Sequence, residues 1–124
     1  MLKAEGLTEQ VIGLAIGVHR AVGPGLLESV YRECLSDELA AARIDHRREV
    51  AIPVTFKGKT LPVGFRADLI VDGKVIIEVK AVDALAPVHQ AQILTYLRMS
   101  QLRIGLLMNF HAPRLKDGLR RFVI

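Results

Sequence analysis

Cysteine is almost missing from this chain: Cys34 stands alone among 124 residues. One thiol makes no internal disulfide and no zinc ribbon, so the fold must be held by packing, and a reducing cytoplasm is the expected setting. Cys34 lies in a helical apolar pattern and reads as a small buried hydrophobe. Tryptophan is absent and aromatics amount to 5% of residues. The core must therefore be aliphatic, and the stacking platforms used by single-strand binders are not provided. No apolar run reaches the roughly 18 residues of a membrane-crossing helix, so no membrane association is expected. The opening "MLKAEGLTEQ" lacks the apolar stretch of a secretory leader. Repeats, linkers and low-complexity tracts are lacking too.

What is present is a soluble globular balance, 51% hydrophobic and 24% charged. The length fits a single domain spanning residues 1–124 with one core. A formal net charge of +4 fits an anionic partner such as nucleic acid, and equally fits a small protein without one.

Apolar spacing predicts a helix over about residues 9–22 with Thr8 as its N-cap, ended by "VGPG". A second helix is predicted over about 25–43, its stripe made by Leu27, Val30, Tyr31, Cys34, Leu35 and Leu39. Three strands follow, joined at Lys57-Gly58-Lys59 and at Asp72-Gly73; such short connections require an antiparallel meander. Pro53 and Pro62 place the first two strands at an edge or interrupt them. Pro87 opens a helix running to about Ser100. The unbroken apolar run at 102–110 is a buried strand, parallel to the one ending at Lys80 because a helix separates them. "LRRFVI" supplies a possible last strand. The class is α/β with a mixed sheet.

The stretch "ADLIVDGKVIIEVKA" sets Asp68, Glu78 and Lys80 inside apolar strands. Glu78 and Lys80, two apart, share a face. Asp68 joins them only if the turn has odd parity. A two-residue loop would pair 68 with 77 and turn Asp68 away. A three-residue loop, Val71-Asp72-Gly73, would pair 70 with 74 and 68 with 76, with Gly73 in the left-handed region. An odd loop or a bulge is the expectation. Two carboxylates brought together raise each other's pKa unless a positive charge intervenes. Mg²⁺ suits such a pair, and Lys80 is placed to orient water or stabilise charge on a phosphoryl group. A cross-strand ion pair on a solvated face would use the same residues.

Glu28 lies about 20° from Leu35 and about 60° from Tyr31 around its helix, close to the apolar stripe, where a carboxylate needs a partner. It either holds a site or reaches the helix edge and caps the "VGPG" turn. On the later helix His89, Gln92 and Tyr96, spaced i, i+3, i+7, form a polar stripe beside the apolar one of Ile93, Leu94 and Leu97, or simply a plain amphipathic surface.

At this point the residues match a family pattern. "GLLESVY", residues 25–31, is similar to the motif of the GxxExxY proteins. "AD", nine residues, then "EVK" resembles the core of the PD-(D/E)XK nuclease superfamily, and "QILTY", residues 92–96, looks like the QxxxY element of its exonuclease-like branch. The likeness covers about residues 10–110, with Ala67 in place of the motif's Pro. It implies a restriction-endonuclease-like core: an antiparallel meander, a crossover helix and a further strand, flanked by helices. It further implies a metal site made by Asp68, Glu78, the carbonyl of Val79 and Glu28, holding Mg²⁺ or Mn²⁺. Lys80 would be the catalytic lysine beside the catalytic acids Asp68, Glu78 and Glu28. Gln92, Tyr96, Tyr31 and His89 would face substrate.

The expected activity is metal-dependent hydrolysis of phosphodiester bonds in nucleic acid, DNA above all. Cutting would be directed by structure or ends rather than by sequence, because so small a surface reads few bases. Arg20, Arg47, Arg48, Lys57, Lys59 and Arg66 are candidate phosphate contacts, or ordinary solvated charges. A homodimer would bring two clefts to two strands. The alternative is a non-catalytic nucleic-acid- or protein-binding module that retains the fold.

Overall fold

The computed structural model describes residues 4–124. The first helix, α1, spans Ala4–Val22, so Thr8 is not its N-cap but a residue inside it, 2% exposed. The helix starts earlier than the polar signal suggested because Leu7, Val11, Ala15 and Val18 form one buried stripe, and packing of that stripe carries the helix upstream of Thr8. Gly23 and Gly25, with φ of 70° and 103°, then turn the chain in a conformation closed to most L-residues. The second helix, α2, spans Glu28–Ala41. Its buried line is Tyr31, Leu35 and Leu39. Leu27 precedes the helix in extended conformation and is exposed, as Val30 is, so neither belongs to the buried stripe. Cys34 is partly buried against the core.

Five strands form one sheet in sequence order. They are β1 (His46–Phe56), β2 (Lys59–Val71), β3 (Val75–Lys80), β4 (Ile104–Asn109) and β5 (Leu119–Val123), with α3 (Pro87–Ser100) between β3 and β4. β1, β2 and β3 form the expected antiparallel meander. β4 is parallel to β3, and β5 returns antiparallel to β4. β1 is an edge strand, with a register shift between Pro53 and Thr55. The missing amide of proline is tolerated at such places.

The sheet is covered on both faces, which explains the unbroken apolar run of β4. On one face α1 and α2 pack against Leu69, Val71, Ile77, Val79, Leu106 and Met108. On the other, Ile93, Tyr96 and Leu97 of α3 pack against Ile52, Ala67, Ile70, Ile76 and Leu107. Gly105 lets α3 come close: a Cβ there would stand 2.9 Å from Cδ1 of Ile93.

The β2–β3 turn has the expected odd parity, but its register differs from the expected one. Val71 pairs with Val75 and Leu69 with Ile77, so the loop is Asp72-Gly73-Lys74 rather than Val71-Asp72-Gly73. Asp72 and Gly73 both take positive φ, 52° and 62°, and the N–H of Lys74 donates to the carbonyl of Val71 at 2.9 Å. The change brings Asp68 level with Glu78 instead of two residues from it.

Candidate active site

The β2–β3 ladder stops at the Leu69–Ile77 pair. Beyond it, two side chains take over the hydrogen bonds that a longer ladder would have made. The N–H of Asp68 donates to Oε2 of Glu78 at 2.7 Å, and the N–H of Val79 donates to Oδ2 of Asp68 at 2.8 Å. Each carboxylate therefore bonds to the opposite strand, and the two acids occupy a fork between β2 and β3. Both bonds come from amides that the strands hold in place. They fix both groups without help from a loop.

Asp68 has a second partner. The guanidinium of Arg32, on α2, lies 3.2 Å from Oδ1 of Asp68 and 3.8 Å from Oε1 of Glu49. Glu49 stands level with Asp68, between the Arg48–Leu69 and Val50–Ala67 pairs, with φ of 49°. Glu78 is 4% exposed. Burial pushes its carboxyl up to about 8, reinforced by the Asp68 and Glu28 charges and opposed by the Asp68 amide and Lys80. Lys80 is thus the positive charge that acts on the second acid, and it does not offset the burial.

Lys80 is half-buried and acts on Glu78 through its charge; among the described residues its ammonium has no carboxylate within ion-pair distance. Glu28, the first residue of α2, is close enough to influence Glu78. It lines an open groove of about 810 Å³ together with Leu26, Arg32, Ala81 and His111. Tyr96 packs its ring on Phe65, centroids 4.9 Å apart. Its phenol is pushed up by burial and by the charges of Glu78 and Asp68, so the α3 side of the fork is also occupied.

Five of the expected residues, Asp68, Glu78, Lys80, Glu28 and Tyr96, are therefore brought together electrostatically, and the backbone of Val79 joins them. Gln92 is half-buried on the same helix as Tyr96. His89 is committed differently: its Nδ1 accepts the N–H of Ala86 at 2.9 Å, closing the first turn of α3. Tyr31 corrects the expectation of a substrate contact. Its ring is fully buried and stacked on Phe110 at 4.6 Å. Its hydroxyl donates to the carbonyl of Gly23 at 2.6 Å and accepts the N–H of Leu26 at 3.0 Å. It holds the "VGPG" loop that leads to Glu28. Among the candidate phosphate contacts, Arg48 is taken by Glu33 at 2.6 Å.

Arg32 is the main residue that the sequence reading missed. A signal was present: it lies four residues after Glu28 and so on the same helical face. Glu49 and His111 carried no comparable mark.

Among the described residues no three His, Cys, Asp or Glu side chains form a ready-made metal cage. The oxygen donors present suit one cation class nonetheless. Mg²⁺ is held by one or two carboxylates and keeps several waters, and a pair of acids with one of them raised by repulsion and burial accepts a hard cation.

A family model described as the PD-(D/E)XK nuclease superfamily matches residues 5–122. No curated protein and no solved structure matches the chain.

Proposed function

The chain belongs to the PD-(D/E)XK nuclease superfamily, and on that premise we propose that it is a Mg²⁺- or Mn²⁺-dependent phosphodiesterase acting on nucleic acid, DNA above all, of the GxxExxY kind. The observation that carries the reading is the fork, where Asp68 and Glu78 are held together by each other's strands. Asp68 and Glu78, with the carbonyl of Val79 and with Glu28 at the rim, would hold the cation. When bound, it would lower the pKa of water and offset charge on the phosphoryl oxygens.

The residues of the chain do the rest. The bonds from the Asp68 and Val79 amides fix the direction of both carboxylates before substrate arrives, which is preorganisation of the kind that lowers barriers. Lys80 places a positive charge beside Glu78, where it orients a water for attack and stabilises charge developing on the phosphate. Tyr96 closes the α3 side, and Gln92 on that helix contacts substrate. A cytoplasmic setting, structure- or end-directed cutting and a homodimer complete the proposal.

The test is a cleavage panel of single-stranded, duplex, flapped and junction DNA and RNA with Mg²⁺ or Mn²⁺, comparing wild type with Lys80→Ala. Metal-dependent cutting by wild type alone supports the reading. Equal activity of the two proteins would sink it. One observation favours a second reading, a binding module without catalysis: Asp68 already has protein partners on both oxygens. Nucleic-acid binding that never leads to cutting with either metal would select it.

A further inference from the structure

β2 has two lives. Its last three residues pair with β3, but its pairing with β1 continues outward to Phe56 and Lys59. Residues 59–68 therefore have a strand on one side only, and the outer hairpin leaves the sheet as a two-stranded ribbon. Its base is anchored, since Ile52 and Ala67 pack with α3. Its outer part, residues 53–64, is exposed except for the half-buried Val54 and Leu61. Phe56 is 60% and Val63 70% exposed. An uncovered two-stranded ribbon is marginal in water, so an apolar tip on one calls for a partner.

The charge says which kind. Residues 50–67 contain Lys57, Lys59 and Arg66 and no Asp or Glu, and so account for three of the four net positive charges of the chain. All three cations are exposed, and Nζ of Lys57 sits 5.4 Å from the centre of the Phe56 ring, at the tip. Pro53 and Pro62 remove amides from the ribbon, which discourages strand addition by a second copy. We propose that the β1–β2 ribbon is a docking arm for duplex DNA. A two-stranded ribbon fits the major groove of B-form DNA, whereas the deep, narrow major groove of an RNA helix does not admit it.

The arm also fixes a distance. β2 runs from Lys59 at the tip to Asp68 in the fork, bulging between Thr60 and Gly64 where its register with β1 shifts. Lys59 pairs with Phe56 and Asp68 stands level with Glu49, so the span is seven β1 residues at about 3.3 Å each, about 23 Å, or about two-thirds of a duplex turn of about 34 Å. The arm would thus grip DNA on one side of the fork, about seven base pairs from it at 3.4 Å per base pair. This inference rests on the nuclease reading for the meaning of the fork.

The experiment measures binding and chemistry separately. Fluorescence anisotropy in EDTA compares wild type, Lys57→Gln/Lys59→Gln and Phe56→Ala on a DNA duplex of about 24 base pairs, on a hairpin stem of about 4 that is shorter than the reach of the arm, and on an RNA duplex. Hydrolysis of bis(p-nitrophenyl) phosphate with Mn²⁺ reports the fork without the arm. The double variant should bind the long DNA duplex about ten-fold more weakly, with a salt slope smaller by about two, and lose little on the short one. Its hydrolysis of the small diester should equal wild type. Weakened binding with no hydrolysis by either protein would support the arm and count against the nuclease chemistry. Equal binding by all three proteins, tighter binding to RNA, or a wild-type dimer that the variants dissolve would each overturn the arm.

Discussion

Glu78 and Asp68 exchange places across a fork: the carboxylate of Glu78 accepts the amide of Asp68, while the carboxylate of Asp68 accepts the amide that follows Glu78 in the chain. The pair that is proposed to hold a cation is thus also the end of the β2–β3 pairing.

In the cation-free protein, stability should fall as pH rises. The Glu78 carboxyl has a folded-state pKa of about 8 against an ordinary 4.5, so between those values the folded state binds more protons than the unfolded one. The contribution is fully present below about 4.5 and is lost as pH rises through about 8. Chemical denaturation at several pH values in EDTA measures it. Glu78→Gln should flatten the profile and exceed wild type at high pH. A wild-type profile that is flat over this window would contradict the assignment.

Divalent metal should work in the opposite direction. Isothermal titration with Mn²⁺ above pH 8 is expected to show binding to wild type, and Mn²⁺ should raise the melting temperature by linkage. Asp68→Asn and Glu78→Gln should each abolish both effects at millimolar metal. Retention of either effect in both variants would place the cation elsewhere.

Removal of Arg32 should cost about 1–2 kcal/mol, a partly exposed version of breaking a buried pair. Its partner Asp68 has a side chain only 18% exposed. Thermal melts of Arg32→Ala check this, and Mn²⁺ should restore most of the loss because a cation takes over the role of the guanidinium. An Arg32→Ala protein as stable as wild type would show the pair to be incidental.

Tyr31→Phe should destabilise by about 1–2 kcal/mol through two lost hydrogen bonds, yet leave turnover of a small diester per folded molecule unchanged. A fall in turnover at full folding would return Tyr31 to the cleft.

Much of this was legible in the residues, for identifiable reasons. Period-two alternation put Glu78 and Lys80 on one side of a strand, and the parity of the turn decided where Asp68 would point. The exact register was not legible, because Asp72-Gly73 admits an odd loop begun at either residue 71 or 72, and the choice is made by pairing of Val71 with Val75. Helical spacing placed Tyr31 near Glu28 but says nothing of which end of a side chain is buried; the stacked Phe110 and the Gly23 carbonyl come from elsewhere in the chain. Arg32 reaches Asp68 across 36 positions, a contact that only the packing of α2 on the sheet creates. Thr8 looked like a cap because a cap signal is local, whereas the buried face of α1 already includes Leu7, upstream of it.

Because backbone amides depend on the two acids at the fork, loss of the proposed catalysis and loss of fold are not independent events here. An alanine at 68 or 78 strands an amide, while an asparagine or glutamine still offers an oxygen to it. A descendant of this chain that gave up its chemistry would be expected to drift toward those amides rather than toward small apolar residues. In such a lineage, the fossil of the enzyme would be an oxygen atom still facing an N–H across two parting strands.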